Sequence, residues 1–392
     1  MTRQLAIVAC GLALIALALR PVFAQTRSGA AAGETLVYIG TYTGAKSEGI
    51  YLSRLDLTSG ALAAPVLAAK AANPSFLAIH PKGTFLFAVN EVATFAGQPT
   101  GAVSAFSIDR RTGQLGPLNQ QSSGGNGPAH LTVDPSGRNV LVANYGGGTV
   151  AVLPVGADGR LQQPSSVIQH TGSSVDPKRQ TKPYAHSINV EAGGHFAYAA
   201  DLGTDKLMIY RFDAAAGTLT AGTPASVALS PGSGPRHLAI HPNGRFVYVI
   251  NEMRLDVAAF GQDAARGVLT PLQTISSLPP GLAVASGFSG AEIQVHPSGR
   301  FVYTSNRGHD SITAFAVDPS SGRLSFVANE PTQGAFPRGF GIDPTGQFLI
   351  AANQRSDSLV VFRIDQASGR LTAAGHAITV GAPVCVKFVA RQ

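Results

Sequence analysis

Apolar residues in this chain come in short β-branched and aromatic blocks separated by turn residues, and nowhere recur at helical spacing. Leu238-Ala239-Ile240 leads into His241-Pro242-Asn243-Gly244 and then into Phe246-Val247-Tyr248-Val249-Ile250, closing on Asn251. Pro followed by a polar residue and Gly is tight-turn chemistry, because Pro presets φ and Gly tolerates the last turn position. The block therefore predicts a two-strand hairpin. It occurs six times, starting near Pro74, Pro128, Pro183, Pro235, Phe288 and Pro337 and closing on Asn90, Asn144, Asp201, Asn251, Asn306 and Asn353. Those closing residues lie 54, 57, 50, 55 and 47 positions apart. After each hairpin a third strand (Asp256 to Phe260, Ser311 to Val317, Ser358 to Ile364) is followed by a Gly-x-Leu turn and a fourth strand. Four antiparallel strands at a fixed period predict the blades of an all-β propeller.

Six copies are complete, and the ends supply a seventh. Thr35 to Leu62 reads as the later three strands of a blade without its first, and Ala382 to Val389 as a first strand with nothing after it. Paired, they close a seven-bladed ring and remove its open edge. Residues 34–392 are expected to be one seven-bladed β-propeller domain. Residues 1–24 read as a secretory signal: Arg3, an apolar run from Leu5 to Leu19 too short to span a bilayer, and Val22-Phe23-Ala24 before the cut. Residues 25–33 read as a flexible leader. The expected location is periplasmic or secreted, with no stable membrane association after cleavage.

Composition narrows the function. Charged residues are 13% of the chain and the formal charge is +7; removing residues 1–24 deletes Arg3 and Arg20 and leaves +5. The densest basic stretch, Lys178-Arg179-Gln180-Thr181-Lys182, lacks interleaved aromatics, so no nucleic-acid partner is expected. After cleavage Cys385 is the one remaining cysteine, which excludes a disulfide framework. No His/Asp/Glu set has metal-ligand spacing. Neither metal nor cofactor is expected, and the protein is expected to be a monomer.

Hairpin geometry places the chemistry. First strands line the channel, so their starts meet the ends of the second strands at one rim, the mouth of a pocket. Folding back sets Arg236 beside Asn251 or Glu252, His186 beside Asp201, and Glu292 near Arg307. Read around the ring, one repeat position carries Phe76, His130, His186, His237, Glu292 and Gly339; the one before it carries Ser75, Ala129, Ala185, Arg236, Ala291 and Arg338. The residues after the closing Asn are Glu91, Tyr145, Leu202, Glu252, Arg307 and Gln354. Such divergence in charge points to a site more than to scaffolding. The planar forks of Arg236 and Arg307 suit a carboxylate or phosphate. A rim His also serves as an ordinary partner of a neighbouring loop, and the repeated Asn residues read as strand-end caps. His80, His241 and His296 sit in the opposite-rim turns and read as structural.

At these residues the chain resembles the seven-bladed propeller lactonases, typified by the propeller-type 6-phosphogluconolactonases and related to the fungal carboxy-muconate lactonizing enzymes. The resemblance covers about residues 35–390. Its phrases are Tyr38-Ile39-Gly40-Thr41-Tyr42-Thr43, Arg179-Gln180, Pro183-Tyr184-Ala185-His186-Ser187, Asp201-Leu202-Gly203-Thr204-Asp205, Gly234-Pro235-Arg236-His237, Asn251-Glu252 and Ser305-Asn306-Arg307-Gly308-His309-Asp310-Ser311. Tyr184 stands where the family phrase usually carries His. The resemblance implies catalytic roles for His186, Arg236, Glu252 and Arg307. Substrate contacts are then expected from Asp201, His237, Glu292, His130, Arg179 and His309, with Asp201 fixing the His186 tautomer. The implied activity is hydrolysis of a sugar-type or other anionic small-molecule lactone, with His186 or Glu252 as base. Two alternatives stay open: a muconate-type cycloisomerase, and a non-catalytic extracytoplasmic binding propeller, since fold does not fix function.

Overall fold

The computed structural model describes residues 33–390, together with Met1 and Thr2. The expected signal and most of the leader lie outside the described residues. Gly33–Gln392 forms one compact unit, in which twenty-eight strands make seven four-stranded antiparallel sheets. Blade four is typical: Pro235–Ile240, Phe246–Asn251, Asp256–Asp263 and Val268–Ser276, in that order from channel to outer edge. Blade seven closes the ring as expected. Pro383–Ala390 pairs with Glu34–Thr41, setting Leu36 opposite Val389 and Tyr38 opposite Lys387, and Gly49–Asp56 follows outward. Its outermost strand is Val66–Lys70, beyond the expected limit at Leu62. The cause is the turn at Gly60-Ala61-Leu62, the same Gly-x-Leu turn that precedes the outer strand elsewhere; Leu62 makes only an isolated bridge to Leu55.

The repeated phrase is legible as contacts between neighbouring blades. The Phe that opens a second strand packs on the glycine of the next blade's Gly-x-Leu turn: Phe301 meets Gly369, whose φ is +75° and whose added Cβ would fall 2.5 Å from the ring. Tyrosines at 0% exposure cross the same seams, Tyr248 donating to the Gly322 carbonyl at 3.0 Å and Tyr303 to that of Gly369 at 2.8 Å. In the turns of the far rim, His80, His241 and His296 place Nε2 3.1, 2.8 and 2.8 Å from the carbonyls of Gly137, Gly299 and Gly346 in the next blade. These histidines therefore tie blades together. Gly369→Ala is expected to cost about 1–3 kcal/mol, because it combines a left-handed residue with an over-packed seam; urea unfolding would read this as a lower midpoint with an unchanged slope.

The rim opposite these turns positions the site. In blades two to seven the first strand is irregular near its start. Pairing jumps from Pro128–Asn144 to His130–Ala143, from Ala185–Asp201 to Ser187–Ala200, and from Pro235–Asn251 to His237–Ile250. Blades five, six and seven do the same at Gly290/Ile293, Pro337/Gly339 and Pro383/Cys385. A bulge leaves one residue unpaired and re-aims its side chain. The bulged residues include Ala129, His186, Arg236 and Arg338. His186 is thus the equivalent of Arg236, and Ser187 that of His237, which corrects the alignment of His186 with His130 and His237 read from the sequence. Blade three carries two extra residues between its opening Pro and that position.

Candidate active site

Glu252, the residue after the closing Asn of blade four, sits at the centre of the rim. Its Oε2 lies 2.8 Å from Arg307 Nη2, 3.2 Å from Arg236 Nε and 3.9 Å from His186 Nε2; its Oε1 lies 2.5 Å from Arg179 Nη2. The two channel arginines are also fixed by blade-five backbone: Arg236 Nη1 donates to the Ala291 carbonyl and Arg307 Nη2 to that of Gly290, both at 2.7 Å. Arg236, Arg307, Glu252 and His186 are all buried. Arg179 reaches in from the loop ahead of blade three and donates to the Tyr145 hydroxyl at 3.4 Å. That loop is pinned by Gln180, whose Nε2 donates to the Leu202 carbonyl at 2.9 Å, and by Ser174 Oγ, which donates to Asp205 at 2.6 Å. Tyr145 packs edge-on to His186 at 5.1 Å and against Tyr184 at 4.9 Å, forming one wall.

The opposite wall comes from ring closure. Arg338 Nη2 donates to the Tyr42 hydroxyl at 2.8 Å, Tyr42 donates to Glu91 Oε2 at 2.8 Å, and Ser75 Oγ donates to the same oxygen. Blades six, seven and one meet here, so no hairpin brings these residues together. Four guanidinium groups (Arg179, Arg236, Arg307, Arg338) thus face two carboxylates (Glu252, Glu91), a net excess of positive charge.

Burial opposes the charged form of Glu252, but the guanidinium groups of Arg307, Arg236 and Arg179 outweigh it and hold the carboxyl well below its usual range. Burial, then Arg236 and His237, push the His186 imidazole well below its ordinary value of 6.5. At neutral pH the site therefore holds an ionised, weakly basic Glu252 beside a neutral His186. Burial, with Arg307 and Arg338 nearby, brings the Arg236 guanidinium down to about 9. Nδ1 of His186 is buried and unbonded, as is Nε of Arg307.

Below His186 the channel is filled by rings. His237 stands edge-on to His186 at 5.2 Å and to His130 at 5.2 Å, and Phe76 packs on His130 at 4.2 Å. His237 Nδ1 lies 3.2 Å from Glu292 Oε1. The structure thus brings together His186, Arg236, Glu252, Arg307 and Arg179 at the mouth, with His237, Glu292 and His130 beneath.

Two expected site residues fall elsewhere. Asp201 does not meet His186: its carboxylate takes the backbone N–H groups of Tyr184, Gly203 and Thr204, and its Oδ2 lies 2.6 Å from Nδ1 of His170, whose Nε2 meets the Tyr210 hydroxyl at 2.7 Å. The pairing partner of Asp201 is Ala185, because the bulge turns His186 toward the channel. His309 sits against Phe288 with its Nδ1 2.7 Å from Ser311 Oγ. The reading of the sequence also missed members. Tyr145, Arg338 and Glu91 stand in the repeat columns and Tyr42 in its motif, yet nothing local to any of them marks it as a site residue. The constant fourteen-residue interval from Phe76 to Asn90, His130 to Asn144 and His237 to Asn251 also marks Ser187, not His186, as the equivalent in blade three.

Among the described residues no group of three His, Cys, Asp or Glu side chains is arranged to hold a metal ion. Arg179→Ala is expected to raise KM about tenfold for an anionic ligand and to leave a neutral analogue within a factor of two. It removes the most exposed guanidinium while Arg236 and Arg307 still pair Glu252; steady-state kinetics on matched substrates would read the difference.

Comparison with known proteins shows the family. The family described as Lactonase, 7-bladed beta-propeller matches residues 36–388. A 6-phosphogluconolactonase of Bacillus subtilis is 41% identical over 352 residues, covering 90% of this chain and 97% of that protein. Among solved structures, the periplasmic gluconolactonase of Pseudomonas aeruginosa superposes with a TM-score of 0.85 at 36% identity, covering 92% of this chain and all of that one. A 6-phosphogluconolactonase-like protein of Bacteroides fragilis does so with the same score and identity, over 92% and 99%.

Proposed function

The chain belongs to the seven-bladed β-propeller lactonases, and from that premise we propose that it hydrolyses a sugar-type lactone carrying a negative charge. The observation that carries this reading is the buried His186 imidazole set beside Glu252 at a mouth where four guanidinium groups converge. An anionic substituent is drawn to such a site. Arg236 and Arg307, held by blade-five carbonyls, are preorganised for the oxyanion that forms when water attacks the lactone carbonyl. His186 serves as the base: its Nε2 faces the cluster, and in the tautomer with the proton on Nδ1, Nε2 is free to take a proton from water. Glu252 is the anion that keeps three arginines converged, since its carboxyl is held too acidic to take a proton readily. The C–O bond from water forms, the ring C–O bond breaks, and the leaving alkoxide takes the proton that His186 removed.

Names of relatives support the substrate class: 6-phosphogluconolactonase in Bacillus subtilis and gluconolactonase in Pseudomonas aeruginosa. Export after cleavage at Ala24 is part of the proposal, resting on the charge and hydropathy of residues 1–24 and consonant with the periplasmic Pseudomonas relative. Acid release from a panel of aldonolactones and phosphoaldonolactones, followed by pH indicator and by product analysis, tests the activity. Ring-opened hydroxy acid is the expected product. An unsaturated acid interconverting with its lactone would instead assign the cycloisomerase chemistry that the same four residues can serve.

A further inference from the structure

Three of the four guanidinium groups at the mouth, those of Arg179, Arg236 and Arg307, lie within ion-pair range of Glu252. The fourth does not. Among the described residues no carboxylate comes within ion-pair range of Arg338, and its hydrogen bond to protein runs from Nη2 to the Tyr42 hydroxyl at 2.8 Å. Glu91 reaches it through that phenol, which donates to Glu91 Oε2 at 2.8 Å.

This chain of hydrogen bonds fixes the fork. Tyr42 gives its proton to Glu91 and accepts from Arg338, so Nη2 is committed to the wall and the edge formed by Nε and Nη1 is left over. Neither of those nitrogens bonds a described residue, and neither is sealed from solvent, in contrast to Nε of Arg307. Arg338 is half-buried at a bulge, which turns its side chain out of the ladder. Its neighbours carry the same sign. Burial, then Arg307 and Arg338, lower the Arg236 guanidinium; burial, then Arg338, act the same way on Arg307 against the pull of Glu252. Farther out, the exposed Arg355 stacks 3.8 Å from the centre of the Phe336 ring, and Arg307 lies 5.3 Å from that centre. Phe336 holds φ at +64°, a strained conformation for a bulky residue, with its N–H donating to Asp310 Oδ1 at 2.8 Å. The strain sets the ring between two cations beside Arg338.

Four guanidinium groups against two carboxylates leave an excess of two positive charges at the mouth. A phosphate monoester carries about −1.5 to −2 near neutral pH and matches that excess, where a carboxylate matches half of it. Phosphate oxygens also fit the planar edge of a guanidinium. Resting on the lactonase reading, we propose that Arg338 is the residue that binds a phosphate group carried by the lactone, and that Tyr42 positions it. The phosphate accepts from Nε and Nη1, while the lactone carbonyl is left to Arg236 and Arg307. Affinity for the substituent and stabilisation of the oxyanion are thus assigned to different arginines. Arg179 plays a third part: paired with Glu252 and partly exposed, it adds to the field that draws an anion in.

The test compares two substrates and one simple ligand. In Arg338→Gln, kcat/KM for a 6-phosphoaldonolactone should fall about 10–100-fold more than that for its unphosphorylated counterpart, the worth of a hydrogen bond to a charged group. Arg338→Lys keeps the charge and loses the fork, and its loss should lie between those of the wild type and Gln. Inorganic phosphate, titrated calorimetrically with no lactone present, should bind the wild type and bind Arg338→Gln at least tenfold more weakly. Equal fractional losses on the two lactones in a folded variant would overturn the proposal, because they mark a tie between blades and not a ligand contact. Phosphate binding that Arg338→Gln leaves unchanged would overturn it as well. If the wild type opens neither lactone yet binds phosphate through Arg338, the lactonase reading fails and the anion subsite stands.

Discussion

Replacement of His186 by alanine is expected to lower kcat by about 10²–10⁴-fold, the usual worth of a positioned general base, while leaving the propeller folded. The side chain is the bulged residue of the first strand of blade three, so its removal touches no ladder hydrogen bond. Its Nε2 stands 3.9 Å from Glu252, outside hydrogen-bond range, and its Nδ1 has no partner. Nothing structural therefore depends on the imidazole beyond its ring packing with Tyr145 and His237. The circular dichroism and melting of His186→Ala should match those of the parent. Full activity in a folded His186→Ala protein would remove His186 from the mechanism.

Replacement of Glu252 has a different signature: loss of both activity and stability. Its carboxylate pairs three guanidinium groups, two of them nearly inaccessible to water. Removing one member of a buried ion pair leaves uncompensated charge and costs about 3–5 kcal/mol. Glu252→Ala should therefore melt well below the parent, with partial recovery at high chloride, where an anion can occupy the gap. The acid response follows from the same groups. His130, His186 and His237 are held below 6.5 by burial before any other cause, so as pH drops below 6.5 the unfolded chain binds protons that the folded chain refuses, and stability declines. Glu252 is held below 4.5; its contribution is fully present above 4.5 and is lost as pH falls through its lower folded value. Urea midpoints should thus fall in two stages on acidification, and the second should be smaller in Glu252→Ala, where the other depressed carboxylates, such as Asp318 and Asp357, still contribute.

The ring was legible in the sequence because every blade repeats the same bargain between neighbours: a Phe on one blade and a glycine on the next, a His in one turn and a carbonyl beyond it. Hairpin arithmetic then located the rim and set Arg236 near Glu252, since both lie within one hairpin. It failed where the partners lie in different hairpins. Asp201 lies beside His186 in sequence register, yet its carboxylate finds His170, which enters from the preceding connection. Arg338, Tyr42 and Glu91 converge because blade seven is built from both chain ends, and no local pattern announces that meeting. The phase slip in blade three came from matching His to His; a bulge makes side-chain identity a poor guide, while the distance to the closing Asn or Asp is set by the backbone. Charge balance was hidden for a related reason. The arginines come from four separate stretches of chain, and only the closed ring sums them.

If this rim binds and opens an anionic lactone, a phosphate on the substrate should speed its turnover. The most direct test compares kcat/KM of the wild-type protein for a 6-phosphoaldonolactone with that for its unphosphorylated parent, each corrected for spontaneous hydrolysis. Hydrolysis of both above background is expected, with the phosphorylated lactone favoured by at least tenfold and the preference shrinking as salt screens the arginines. No catalysed hydrolysis of either, or equal rates on the two, would contradict it.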